Sequence, residues 1–255
     1  MRLFLALLLA CASAASAAGR FPARDTIEQL TSIFENDTPR LQYAYCENIR
    51  DRRGYTFGFA GFTSGTYDGT LFLKEYRRLR PGSPLEKYLP AFEKIDAGPH
   101  DGEGRNPSVA GLAGFPSAFR SCAADPAFRQ AQQNLADRLY WDPSQRIARR
   151  IGARLEITRG QFYDACINLG EDGLEELVRR TNRIAGGAPK NGVGEPEWLS
   201  KFLSLRLRDL TTGDRTQRHA ADRARVYQQL LAEGNVHLLR PIRFVCYGDS
   251  FVLRP

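Results

Sequence analysis

Aromatic and β-branched residues alternate with glycine over residues 54–64, which have the sequence GYTFGFAGFTS. Alternation with a period of two predicts a strand or a hairpin, and the glycines allow bends and a close approach of the backbone to a ligand. Most of the remaining chain has apolar residues at helical spacing. The expected fold is therefore mainly helical, with one small β element near the N-terminus.

Breaks rich in glycine and proline separate the predicted helices. Residues 100–116 have little periodicity and predict a long loop that forms a hinge or a cleft wall. Residues 244–253 carry alternating aromatic residues and predict a final extended segment. Helices are expected at 26–34, 41–49, 70–79, 126–140, 143–155, 159–169, 174–184, 196–210 and 219–232.

Residues 1–18 have the pattern of a secretory signal peptide. One positive charge precedes a short apolar stretch and a tract of small residues, so cleavage is expected after Ala17 or Ala18. The stretch is too short to span a bilayer, and no later segment is apolar enough to do so. Attachment of a lipid at Cys11, which follows a lipobox-like sequence, is the minor alternative. An exported protein, extracellular or periplasmic, is predicted, and its residues 19–255 fit one domain or two lobes that share a cleft.

Four cysteines remain after the predicted cleavage, namely Cys46, Cys122, Cys166 and Cys246. An even number in an oxidising compartment allows two disulfides, with three connectivities that the sequence does not separate. None of them has CxxC spacing, and the three histidines are scattered. Neither a metal site nor a Cys-His nucleophile is expected, and no cofactor is predicted.

The formal net charge of +7 is of the kind that attracts polyanions such as nucleic acid or lipid headgroups. Here the arginines are spread along several helical segments and do not form one stripe. This distribution favours solvated helix faces. No nucleic-acid partner and no stable membrane insertion are predicted, and the chain is expected to be a monomer.

Two acidic residues have the contrasting surroundings that hydrolysis of a glycosidic bond requires, in which one acid keeps its proton and the other is ionised. Glu35 follows Ile33 and Phe34 at the end of an apolar helix face, where loss of water would favour the protonated carboxyl. Asp51 lies between arginines, whose charges favour the carboxylate. Thr56, five residues on, offers a hydroxyl that could hold a water. Taken alone, each acid is better explained as a solvated surface residue, and other acids compete with them: Glu47, Asp68, Asp137, Asp164 and the group at 171–176.

A series of short motifs spans nearly the whole chain after the predicted signal peptide. Its members are Glu35-Asn36, Tyr43-x-Tyr45, Ile49-x-Asp51-x-Arg53-Gly54-Tyr55-Thr56, Gly61-Phe62-x-Ser64-Gly65-Thr66-x-Asp68, Lys87-Tyr88-Leu89-Pro90-Ala91, Phe128-x-Gln130-Ala131-Gln132, Asp137-Arg138-x-Tyr140-x-Asp142-Pro143, Gln161-Phe162-Tyr163-Asp164-Ala165, Gly234-Asn235 and Tyr247-Gly248-Asp249. The series resembles the chitosanases of glycoside hydrolase family 46 and keeps that family's order. Such an ordered set is far more specific than a single short motif.

The resemblance implies a mainly helical α+β fold with two lobes, related to lysozyme, with a small antiparallel sheet and a cleft between the lobes. Residues 19–255 would then be a catalytic domain that cuts β-1,4 links within chitosan, with inversion at the anomeric carbon. By resemblance, Glu35 is the general acid, Asp51 is the general base, and Thr56 helps to hold the attacking water. Inversion requires the two carboxyl groups to lie ~6.5–9.5 Å apart.

The same resemblance implies further site residues. Asp68 matches an acid that binds the ammonium group of a glucosamine unit, and Tyr45 and Arg53 match cleft residues. Asp37 stands where the family usually has serine, and this difference is expected to alter a sugar-binding subsite. The ion network that supports the acid is assigned to Asp164, Arg206 and Arg223, with Arg218 as an alternative to Arg223.

Chitosan is a polycation, so a basic enzyme would repel it at long range, although salt screens that field over ~8–10 Å. We therefore expect acids in the cleft itself, and Asp37, Asp51 and Asp68 are the ones we place there. Two alternatives remain open. A lysozyme-like peptidoglycan hydrolase would not need Asp68, and a catalytically silent polysaccharide-binding protein would not need Glu35, Asp51 and Thr56 together.

Overall fold

A computed structural model describes residues 23–212 and 220–255. The predicted signal peptide and Arg218 lie outside the described residues. Within the described part, no helix has the length and apolar character needed to cross a membrane.

Helices make up most of the described chain, as the periodicity predicts. They are α1 (Arg24–Asn36), α2 (Asp68–Leu79), α3 (Leu89–Asp96), α4 (Phe115–Ser121), α5 (Pro126–Ala136), α6 (Asp142–Ile151), α7 (Glu156–Ala185), α8 (Glu195–Thr212) and α9 (Ala221–Ala232). A π-helical turn, Asp137–Trp141, joins α5 to α6. At Gly170 the φ and ψ angles of 74° and 174° are not helical, so the two helices predicted at 159–169 and 174–184 are the two arms of α7.

The described residues contain two antiparallel sheets, and their strands other than β1 fall at or next to the segments where alternating patterns predict extended chain. The first sheet has the order β1-β2-β3, and its middle strand places Thr56 opposite both Glu47 and Thr63. The second sheet is a hairpin at the C-terminus. The strands are β1 (Cys46–Glu47), β2 (Thr56–Phe57), β3 (Phe62–Thr63), β4 (Ile242–Cys246) and β5 (Asp249–Leu253).

The helix predicted at 41–49 is wrong. This segment forms turns that lead into β1, and its backbone bonds to distant residues: Gly58 donates its N–H to the Tyr45 carbonyl at 2.8 Å. The Gln132 side chain donates to the Tyr43 carbonyl at 3.0 Å. Carbonyls satisfied in this way do not need the i+4 partner of a helix, so tertiary contacts outweigh local propensity.

The buried apolar side chains form two large clusters, which define two lobes. The β lobe contains β1–β3 and α2–α5, and its core is rich in phenylalanine, with Phe57 in edge contact with Phe92 and Phe115. The helical lobe contains α1, α6–α9 and the C-terminal hairpin. Tyr140, in the π-helical turn, packs against both clusters. The predicted mainly helical fold with small antiparallel sheets is confirmed.

The two disulfides that the cysteine count allows do not form. Cys46 and Cys122 belong to the β-lobe core, Cys166 and Cys246 belong to the helical-lobe core, and all four are buried free thiols. Burial raises the pKa of Cys46, Cys166 and Cys246 to about 12, so these thiols stay protonated and unreactive. The cysteines therefore serve as small apolar core residues.

Candidate active site

Glu35 lies at the end of α1, whose apolar face is buried through Leu30, Ile33 and Phe34. The helix ends at Asp37, which has a left-handed φ of 54° and donates its N–H to the Ile33 carbonyl at 2.9 Å. The Glu35 side chain does not follow the buried face. About a third of it (34%) is exposed, and its carboxylate pairs with the guanidinium of Arg223.

Arg223 belongs to a buried ion network that joins three helices. On α9, its Nη2 lies 2.8 Å from Asp164 Oδ1 on α7, and Arg206 Nη1 on α8 lies 2.7 Å from Asp164 Oδ2. Burial alone would raise the pKa of Asp164, but the charges of Arg223 and Arg206 outweigh it and hold this pKa below its usual value. The structure thus brings Asp164, Arg206 and Arg223 together behind Glu35, and Arg223 occupies the position for which Arg218 was the alternative.

Asp51 lies on a tight turn in the β lobe. Arg53 binds its carboxylate, donating from its backbone N–H at 3.1 Å and from its side-chain Nε at 2.7 Å. The turn depends on Gly54, whose φ is +75° and where a Cβ would come within 2.2 Å of Ser64 Oγ. The Arg53 guanidinium forms an ion pair with this carboxylate, and the Asp51 side chain keeps 26% of its surface exposed.

Thr56 lies on β2, five residues after Asp51, and is buried. Its hydroxyl oxygen has no hydrogen-bond partner among the described residues. A buried hydroxyl without a partner is rare, because it carries the full cost of desolvation. The Thr56 hydroxyl is therefore available to a water or a substrate group.

Asp68 is the first residue of α2 and accepts hydrogen bonds from the Thr63 N–H at 3.1 Å and the Thr66 hydroxyl at 2.5 Å. Burial raises its pKa to about 6, although both hydrogen bonds and the charge of Arg53 act in the opposite direction. The influence of Arg53 shows that Asp68 faces the same region as the Asp51 turn.

Comparisons with known proteins agree with this arrangement. The model of glycosyl hydrolase family 46 matches residues 29–242. The chain belongs to glycoside hydrolase family 46. A chitosanase of Bacillus subtilis (strain 168) is 38% identical over 239 residues, covering 89% of this chain and 83% of the relative. A chitosanase of Streptomyces sp. (strain N174) is 34% identical, covering 88% and 80%.

Solved structures of family 46 chitosanases have the same fold. The complex of the Gynuella sunshinyii chitosanase with chitotetraose superposes with a TM-score of 0.80 at 36% identity, covering 91% of this chain and 97% of that one. A mutant chitosanase from Bacillus subtilis MY002, complexed with 6 GlcN, gives a TM-score of 0.81 at 36% identity, covering 91% and 98%.

Two further predicted residues lie around the family 46 site. Burial raises the pKa of Tyr45, and the charges of Glu47 and Asp51 act in the same direction, so Tyr45 lies near the Asp51 turn. Asp37 is exposed just after Glu35, on the helical-lobe side. Its charge contributes to the raised pKa of Cys246.

Two tyrosines at this site had been given no role from the sequence. Burial raises the pKa of Tyr140, and the negative charges of Asp68 and Glu35 raise it further. Tyr140 therefore lies within electrostatic reach of acids from both lobes. Tyr247 donates its hydroxyl to the Phe34 carbonyl at 3.1 Å and so anchors the end of α1 next to Glu35. Both belong to motifs of the series, which was the only signal that could have pointed to them.

Proposed function

We propose that this family 46 chitosanase hydrolyses chitosan by inversion, with Glu35 as the general acid, Asp51 as the general base and Thr56 holding the attacking water. The observation that carries the proposal is the pairing of each acid with its own arginine. Glu35 of the helical lobe pairs with Arg223, and Asp51 of the β lobe pairs with Arg53.

The ion network explains how Glu35 can carry a proton although it touches an arginine. Arg223 has a permanent counter-ion in Asp164, which it contacts through both Nε and Nη2. Asp164, which is shared with Arg206, therefore keeps part of this charge compensated when Glu35 is protonated. Once a sugar displaces water from the exposed third of the Glu35 side chain, the neutral acid is favoured and can donate to the leaving oxygen.

On the opposite side of the reacting sugar, Asp51 would accept a proton from water. The Arg53 contacts orient the carboxylate, and the hydroxyl of Thr56 would fix the water. Glucosamine units lack the N-acetyl group that would be needed for substrate-assisted cleavage, so a base from the protein is required.

Following the anomeric form of the first products by NMR tests the proposal. Cleavage by attack of water from the opposite face is expected to release the α-anomer, which then equilibrates slowly. Glu35→Gln incubated under the same conditions gives the background rate. A β-anomer as the first product would contradict the assignment of Asp51 as a base.

We further propose that Asp68 binds a glucosamine ammonium group. The contact needs an ionised carboxylate and a protonated amine, so binding should strengthen as the pH rises to about 6, the raised pKa of Asp68, and weaken at higher pH as the amine loses its proton. Loss of one charged hydrogen bond predicts that Asp68→Asn raises KM roughly tenfold at neutral pH and removes this pH dependence. KM on chitosan between pH 5 and 7.5 is the measurement, with Asp172→Asn, an exposed acid on α7, as the matched control. An Asp68→Asn enzyme with the KM of the wild type would remove Asp68 from the substrate site.

Asp37, Asp51 and Asp68 would supply the local negative charge that a basic enzyme needs to bind a cationic polymer. Export of the protein is proposed from its N-terminal pattern. The mass of the protein recovered from the medium tests it. Cleavage after Ala17 or Ala18 leaves no lipid, whereas a lipid on Cys11 would give a heavier, membrane-bound form.

A further inference from the structure

An exposed aromatic ring stands directly beside Asp68. Tyr67 is 50% exposed and precedes α2 with a left-handed φ of 71°. Its ring is stacked on the imidazole of His100, with centroids 4.8 Å apart and planes within 11° of parallel. A large side chain in the left-handed region is strained, and half of this one lies in water. Packing in a hydrophobic core therefore does not explain the position of the Tyr67 side chain.

The imidazole of His100, on which the Tyr67 ring is stacked, is held in place by a hydrogen bond. His100 Nδ1 lies 3.0 Å from the Gly98 carbonyl, and since a carbonyl only accepts, Nδ1 carries the hydrogen. The loop that follows is closed on Asp101, which accepts from the backbone N–H groups of Glu103 and Arg105 at 2.9 Å each. The stack is therefore a preorganised surface, in which one face of the Tyr67 ring packs on the His100 imidazole.

The same loop is tied to the catalytic residues of the β lobe. Arg52, next to Asp51, pairs with Asp101 at 3.3 Å. Asn106 donates its N–H to the Gly65 carbonyl at 2.9 Å, in the segment that leads to Tyr67. Asp51, Asp68 and the Tyr67–His100 stack thus form one connected piece of structure.

We propose that Tyr67, supported by His100, binds a glucosamine unit of chitosan next to the unit held by Asp68. The flat side of a β-linked pyranose carries axial C–H groups that pack on an aromatic face, and a glucosamine ammonium group is attracted to the same face. Since consecutive Cα atoms are ~3.8 Å apart, a ring one residue from Asp68 reaches a neighbouring sugar of the same chain. The stack thereby increases the number of sugars that the enzyme engages. This inference rests on the proposed function, because it takes Asp68 as the neighbouring sugar's ligand.

Glycine is the decisive substitution, because a glycine relieves the strain of the left-handed backbone while it removes the ring. Tyr67→Gly is expected to keep or raise the thermal unfolding midpoint. On a Glu35→Gln background, it is expected to weaken binding of glucosamine hexamer five- to tenfold in calorimetric titrations, with less than a twofold change for the glucosamine monomer, which occupies one subsite only. Tyr67→Phe keeps the ring and should retain the hexamer affinity.

Unchanged hexamer affinity in Tyr67→Gly would overturn the proposal. An equal loss for monomer and hexamer would overturn it too, because the ring would then support Asp68 and not a further sugar. Failure of the proposed function has a different signature in the same samples: the Glu35→Gln background itself would degrade the hexamer during the titration.

Discussion

Glu35→Gln is expected to reduce kcat on chitosan by about a thousandfold, the usual size of a general-acid contribution. An amide cannot give a proton to the leaving oxygen. It can still accept from Arg223, so the fold and KM should change little. The assay is the release of reducing ends, at equal protein concentration, with the unfolding midpoint measured on the same preparations.

Asp25→Asn is the matched control for this variant, because Asp25 is an exposed acid in the first turn of the same helix. Its kcat should stay within twofold of the wild type.

Asp51→Asn should lose activity on a scale similar to that of Glu35→Gln, and the double variant should lose little more, because the two residues act in one step. Full activity in Glu35→Gln would contradict the assignment of Glu35 as the general acid.

Asp164→Asn is expected to cost about 3–5 kcal/mol in the free energy of unfolding, because it leaves two buried arginines without their shared counter-ion. Asp164 and Arg206 are at most 1% exposed, and Arg223 is 3% exposed, so water cannot compensate. Urea unfolding gives the free-energy change. The control is Asp209→Asn, which breaks the half-exposed pair between Asp209 and Arg180 and should cost no more than about 1 kcal/mol.

The same substitution should also change the pH dependence of catalysis. Without Asp164, the full charge of Arg223 acts on Glu35 and favours its ionised form, which cannot serve as an acid. The alkaline limb of the pH–rate profile should therefore move to lower pH, and activity should recover partly on acidification. Equal unfolding energies in the Asp164 and Asp209 variants, with an unmoved profile, would show that the network is not needed.

Local sequence patterns predict most of the fold because helices and the short hairpins follow from nearby residues. They fail where distant groups satisfy the backbone, as at 41–49, where Gly58 and Gln132 supply the hydrogen bonds. The two arms of α7 were predicted as separate helices. The structure joins them at Gly170, whose backbone angles are not helical and which forms a kink between the arms.

The contacts within the candidate active site are harder to predict from local sequence patterns than the helices are. Glu35 and Arg223 are 188 residues apart in the chain, and no pattern in either segment encodes their contact. The surroundings of Glu35 were expected to be apolar, whereas its direct contact is a guanidinium. Only the family resemblance indicated by the ordered motif series brought these residues together before the structure. The same series left out Tyr67 and His100, since His100 lies in no motif at all.

The four buried thiols have a practical consequence for producing this protein. No disulfide joins the four cysteines of the described chain, so oxidising enzymes have no part in its folding. A reducing cytoplasm should therefore serve for its production as well as an oxidising compartment does. Because these sulfur atoms are enclosed in the two cores, the folded protein should also be insensitive to the redox state of its surroundings.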